Sequence, residues 1–236
     1  MTIALRHAAG SAIDVPRMEA RLVALDPHQE YALLAQICAR APATDPFARS
    51  AGYFAVTGRK GLWLYGTERT ALLILRHPNR SDRLLLFPPI GPDGAELIRS
   101  ALIDPRLPQG RRQLARVTAS GAGLTAMFGA TAEREDVLDW AYPVHVVSTA
   151  ALVARQGGVF NSLRGHVRRA ERAGYVAEAL DIGRDRDAIR TIAASWAANK
   201  TRDGVTHADL TGPTESCIAL MSRGVAGLQG VMVRGP

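Results

Sequence analysis

Hydrophobic and polar positions along the chain fall into two periods. In DPHQEYALLAQICAR, residues 26–40, Tyr31, Leu34, Ile37 and Cys38 recur at helical spacing. Asp26 as N-cap, Pro27 in the first turn and Gln29 three residues after the cap predict where this helix starts. Beyond the break APATDPF come the short apolar runs GYFAV, LWLY, ALLILR and RLLLF, separated by GRKG, GTER and HPNRSD. Short strands at that spacing predict an antiparallel meander. AELIRSALI, residues 95–103, returns to the helical period.

Residues 104–136 carry Pro105, Pro108 and a Gly/Ala/Thr-rich centre, and the boundary between two halves is placed there. The division is residues 1–118, a linker over 119–136, and a second half over 137–236. That half opens with a strand at AYPVHVV, followed by a short helix capped by Ser148 or Thr149. An arginine-bearing helix, the strand YVAEAL and a helix from Asp185 to Lys200 come next, the latter with Ile189, Ile192, Ala193 and Trp196 on one face. TGPTESCIALMSRG predicts a further helix from near Thr211 to Gly224, and LQGVMV a final strand before RGP. A terminal strand of this kind reads as the first arm of a hairpin, so its sheet is expected to be completed by another chain or by residues beyond Pro236. No long internal repeat is evident, although the halves share a helix-plus-strands order. The fold class expected is α+β.

One segment changes the picture. GGVFNSLRGHVRRAERAGY, residues 157–175, carries Arg164, His166, Arg168, Arg169 and Arg172 against Glu171 alone. On a helix, Phe160, Leu163, Val167 and Ala170 share one arc, and Arg164, Arg168 and Arg172 form a ridge beside it. One face is expected to enter a core while the other presents guanidinium groups. Gly157 and Gly158 lie close enough for the first amides of the helix to meet an anion, and arginine suits bidentate contacts to phosphate. The alternative for such a ridge is a solvated face.

Composition narrows the partner. A formal charge of +7 on 236 residues points to a polyanion, and Lys60 and Lys200 are the only lysines. Abundant arginine beside Ala and Gly also fits a compositional bias, so the clusters at 157–175 and 99–116 weigh more than the total. Cys38 and Cys217 match no disulfide or zinc spacing. The N-terminus has no secretory pattern, and the uncharged run from Val117 to Ala132 is too short to span a bilayer. A cytoplasmic protein without metal or bound cofactor is expected.

Other motifs are weaker. SGAGLTA has a GxGxxA pattern without the βαβ setting that dinucleotide binding needs, so it reads as linker. Of His7, His28, His77, His145, His166 and His207, only His166 shares a helix with arginines, which disfavour its protonated form. Trp196 and Tyr142 read as core aromatics.

The segment LDWAYPVHVVSTAALVARQGGVFNSLRGHVRRAERAGYVAEAL resembles the phosphatidylglycerol lysyltransferase C-terminal domain family, in which a Tyr-containing strand leads to a short helix, a glycine and a basic helix. The matching residues are Tyr142, Gly158, Phe160, Leu163, Arg164, Gly165, His166, Val167 and Arg169. Gly165 and His166 stand where that family typically carries Asn and His or a similar polar pair. The resemblance implies tandem GNAT-like halves, related to the Fem-type aminoacyltransferases, with mostly antiparallel mixed sheets flanked by helices and a second half incomplete at a hairpin. It implies transfer of an aminoacyl group from aminoacyl-tRNA to an amine or hydroxyl acceptor, or, as alternatives, an acyl-CoA-dependent transferase or a noncatalytic anion-binding or regulatory module of the same fold. Aminoacyl-tRNA and a phosphate-bearing acceptor are the partners implied, and DNA is not. The substrate-binding residues expected are Arg164, His166, Arg168, Arg169, Arg172 and Tyr142, with no catalytic residue singled out.

Overall fold

The computed structural model of the chain describes residues 19–42, 48–78, 80–115, 133–134, 149–200, 206–225 and 228–236. The strand AYPVHVV with Tyr142 and His145, the SGAGLTA segment and His7 lie outside them.

The chain is an α+β fold built on one mixed sheet. Strands β1 (Arg21–Leu25), β2 (Leu62–Gly66), β3 (Ala71–Arg76) and β4 (Arg83–Leu86) pair antiparallel in sequence order. Helix α3 (Gly94–Ile103) then returns the chain so that β5 (Arg111–Leu114) lies parallel to β4, since parallel neighbours need a crossover. Glu133–Arg134, inside the segment assigned to a linker, forms β6, parallel to β5.

The antiparallel meander is therefore right for LWLY, ALLILR and RLLLF, while GYFAV is not a strand. It is helix α2 (Ala51–Thr57), which follows α1 (Tyr31–Ala39). Ser50 caps it by accepting from the Tyr53 amide at 3.1 Å, and Ala51, Phe54 and Ala55 then fall on one buried arc. Five apolar residues fit either period; the cap decides in favour of helix. Strand β1 escapes the sequence pattern because its residues are mostly exposed at the sheet edge.

Both faces of the sheet are covered. Leu73, Leu75, Leu85 and Phe87 pack with Leu34, Phe54 and Leu220, while Leu72, Ile74, Leu84 and Leu86 pack with Leu97 and Ile98 of α3. This two-sided burial explains the unbroken apolar run of β3. Beneath α3, Tyr65 donates its hydroxyl to Asp104 at 3.0 Å, and Arg106 forks onto the same carboxylate while reaching the Ala20 carbonyl at 2.9 Å. Arg106 holds the Asp104 carboxyl down at about 2 against the cost of burial. Burial and the bond to Asp104 push the Tyr65 phenol up to about 12.

The second half supplies α4 (Thr149–Ala154), α5 (Asn161–Arg172), β7 (Val176–Ala179), α6 (Ile182–Ala198), α7 (His207–Ser222) and β8 (Val231–Arg234). Strands β7 and β8 form a separate antiparallel pair. The succession β7–α6–α7–β8 repeats β1–α1–α2–β2, including the antiparallel pairing of its outer strands.

Helix α7 starts earlier than TGP suggests. Thr206 and Asp209 make a reciprocal capping box, which places Pro213 inside the helix. A proline there leaves the carbonyl four residues back without its helical donor. That carbonyl is Asp209, and Arg59 donates to it at 2.9 Å. Gly212 clears the way: a β-carbon at this position would lie 2.5 Å from Arg59 Nε. Lys60 pairs with the Asp209 carboxylate, so α7 is fastened to the turn after α2.

Helix α6 also departs from expectation. Asp181 caps it, accepting from Gly183 N at 2.9 Å. Its predicted buried face is largely open, with Ile192 61% and Trp196 50% exposed, so Trp196 is not a core aromatic. The buried positions are Asp185, which Arg234 of β8 reaches, and Ala197; the main packing partner of α6 is α7.

Candidate anion-binding helix

Helix α5 forms where the sequence places it, and its surroundings differ from those predicted. None of its residues is buried; Leu163 is 37% exposed and Ala170 is exposed, so the apolar arc does not enter a core among the described residues. The helix is a strongly amphipathic rod whose polar face dominates.

Its N-terminus is built by the turn after α4. Arg155, at φ 49°, and Gly157, at φ 87°, both take left-handed conformations that reverse the chain. A single 3₁₀ turn, Gly158–Phe160, then runs into α5. No side chain caps the helix. The space around Gly157, Gly158 and Gly165 is open, with nothing within 4 Å of a β-carbon at any of them.

The predicted ligand residues divide into two groups. Arg164 turns back on the reversal, donating to the Arg155 carbonyl, to the Gly157 carbonyl at 3.0 Å and to the Asn161 side chain. It organises the turn that supports the helix start. Arg168 and Arg172 lie one turn apart and, with Glu171, line an open concavity; Arg172 Nε donates to the Arg168 carbonyl at 3.3 Å. Arg169 Nη2 lies 3.3 Å from His166 Nδ1. A guanidinium only donates, so any hydrogen bond in this contact runs from Arg169 to the ring nitrogen. Tyr142 lies outside the described residues.

Arg169 and Arg172 also occupy the last turn of α5, where cations complement the helix dipole. Gly174, at φ 80°, closes that end, and the Tyr175 amide donates back to the Ala170 carbonyl at 3.0 Å. The first amides of α5 are taken up by the preceding turn, Phe160 N–H donating to the Gly157 carbonyl and Asn161 N–H to the Gly158 carbonyl, so the anion-attracting part of the helix is the Arg168/Arg172 pair.

The other arginine cluster has a different use. Arg112 caps the end of α3, donating to the carbonyls of Ala101 at 2.9 Å, Asp104 at 2.8 Å and Leu102, while Arg106 is held by Asp104. In the 157–175 cluster, Arg168 and Arg172 line an open concavity instead.

Cys38 is buried, which pushes its thiol up to about 12, and Cys217 is raised for the same reason; the two are not joined. Among the described residues no His, Cys, Asp and Glu groups are placed to hold a metal ion, and no helix is long and apolar enough to cross a membrane.

No family model and no curated protein matches the chain. Among solved structures, the chain is similar in fold to a conserved protein of unknown function from Bacteroides thetaiotaomicron VPI-5482, with a TM-score of 0.61 at 12% identity over 88% of this chain and 69% of that one.

Proposed function

We propose that the chain is a GNAT-type transferase that moves an aminoacyl group from aminoacyl-tRNA to an amine or hydroxyl acceptor, and that α5 binds the phosphates of the tRNA. The observation that carries this reading is the pair Arg168 and Arg172, one turn apart and lining an open concavity on a helix none of whose residues is buried. Guanidinium groups so placed suit the oxyanions of a phosphate backbone. The repeated β–α–α–β order supports tandem halves, as the resemblance to phosphatidylglycerol lysyltransferase domains implies. In the first half the β2–β3 hairpin is followed by β4 and α3, a central strand and helix of the kind a GNAT donor site requires. Chemistry in such a site comes from positioning the acceptor against the activated ester and stabilising the oxyanion.

Filter binding of the full chain to total aminoacylated tRNA across a salt series tests this. Replacing Arg168 and Arg172 by Ala is expected to weaken binding at 50 mM salt about tenfold or more and to reduce the slope of log K against log salt by between one and two. Arg164→Ala is expected to act through loss of the turn and to lower helix content as well. Salt-insensitive binding, or an unchanged slope in the double variant, would remove α5 from the site. Displacement of tRNA by acetyl-CoA would point to an acyl-CoA donor.

A further inference from the structure

Helices α1 and α2 meet in the first core through Leu34, Cys38, Ala51 and Phe54. Between them lies a cleft of about 720 Å³, walled by Tyr31 and Ala35 of α1, by Gly52, Tyr53 and Val56 of α2, and by Leu228 from the approach to β8. Protein interiors are packed to near crystal density, and a space of this size is within the range of small-molecule sites. We infer that this cleft binds a small amphipathic anion, with an apolar or aromatic body held between the helices and a single oxyanion head at Arg49. This assignment is independent of α5 and of the transferase reading.

Three observations point to it. The described lining is mostly apolar or aromatic, with Ser50 and Thr57 as its small polar residues and Arg49 as its one charged residue. Among the described residues its guanidinium gives one N–H, to the Ala41 carbonyl at 3.2 Å, and a planar fork of this kind fits an oxyanion. Tyr31, half-buried, has no hydrogen bond from its hydroxyl to any described residue, which leaves a polar group on the wall for a ligand to meet.

Gly52 marks where the cleft can be filled. It lies in α2 with no left-handed φ to justify a glycine, and glycine in a helix costs about 1 kcal/mol relative to alanine. A β-carbon there would sit 3.4 Å from Leu228 Cδ2 and 3.9 Å from the Tyr31 hydroxyl, an ordinary contact. Alanine would fit, and a longer side chain on this lining residue would occupy the cleft.

The test uses 1-anilinonaphthalene-8-sulfonate, an aromatic body with one sulfonate, titrated into the folded full chain by fluorescence. One probe per chain is expected, with affinity lowered about tenfold or more by Gly52→Leu, which fills the cleft, and severalfold by Arg49→Gln. Near-UV circular dichroism checks that each variant keeps its tertiary packing. If Gly52→Leu does not fold, Ala35→Leu fills the same space from α1. Probe affinity unchanged in a folded, cleft-filled variant would overturn the assignment. So would an Arg49→Gln variant that binds as tightly as the parent. Arg168→Ala and Arg172→Ala are expected to leave the probe's affinity unchanged, which separates this site from α5.

Discussion

Several arginines in this chain work on backbone carbonyls. Arg59 meets Asp209, Arg112 meets the end of α3, and Arg164 meets the turn before α5. Each places a five-donor fork where a helix or turn has left an acceptor unused. The case of Arg59 yields a cycle. Arg59→Ala should cost about 1 to 3 kcal/mol in urea unfolding, because the half-buried Asp209 carbonyl loses its donor. In a Pro213→Ala background the helical N–H is restored, and the same change should cost clearly less. Equal costs in the two backgrounds would show that Arg59 acts elsewhere. A second prediction concerns Asp104, whose carboxyl is held at about 2 in the folded state, below its ordinary 3.8. A depressed carboxyl contributes stability above the unfolded value and loses it as pH falls through the folded one. The stability gap between the parent and Asp104→Asn should therefore shrink between about pH 4 and pH 2, as followed by urea midpoints. A gap independent of pH over that range would refute the role given to Arg106.

At the scale of elements, ion pairs hold what apolar burial leaves open. Asp185, buried at the start of α6, receives Arg184 at 2.8 Å and Arg234 of β8 at 2.5 Å, and Glu178 of β7 receives both arginines. Arg184, foremost, and Arg234 hold the Asp185 carboxyl far below the ordinary carboxylate range. Strand β8 otherwise buries only Met232, with Val231 and Val233 exposed. Arg234→Ala should thus release β8, seen as faster amide exchange across Val231–Arg234 while β3 keeps its protection. Retained protection in β8 would mean that Met232 alone holds it. What the sequence makes legible follows the same division. Long apolar runs with both faces covered, β2 to β4, are read correctly, as are helices α3 and α5 and the body of α1, which begins at Tyr31 and not after an Asp26 cap. GYFAV is misassigned because a five-residue run carries no period and its Ser50 cap looks like a loop residue. The start of α7 is missed because Gly212–Pro213 looks like a helix boundary, and only the arrival of Arg59 from another element makes it an interior. The candidate helix is legible in composition, yet the turning back of Arg164 depends on the left-handed Arg155 and Gly157, which the local pattern does not reveal.

The whole molecule turns on α7. It belongs by order to the second β–α–α–β unit and contacts α6 along its length, while Leu220 is wholly buried in the core that α1 and α2 form with the first sheet. Arg223 adds a bond to the His28 carbonyl at 2.5 Å, and Lys60 and Arg59 fasten the other end at Asp209. Three polar ties and one leucine thus connect the sheet to the helix that carries β8 behind it. If the halves were independent, truncating Leu220 would loosen α7 alone. Because its side chain fills the space between Phe54, Leu34 and the sheet, the cavity falls within the first core instead. Leu220→Ala should cost about 2 to 5 kcal/mol. Hydrogen exchange decides where that loss appears. Amides of β3, Leu72 to Leu75, and amides of α7, Ile218 to Leu220, should lose protection by the same free energy, as members of one cooperative unit. Loss confined to α7, with β3 unaltered, would show that the second half unfolds separately and that α7 only rests on the first.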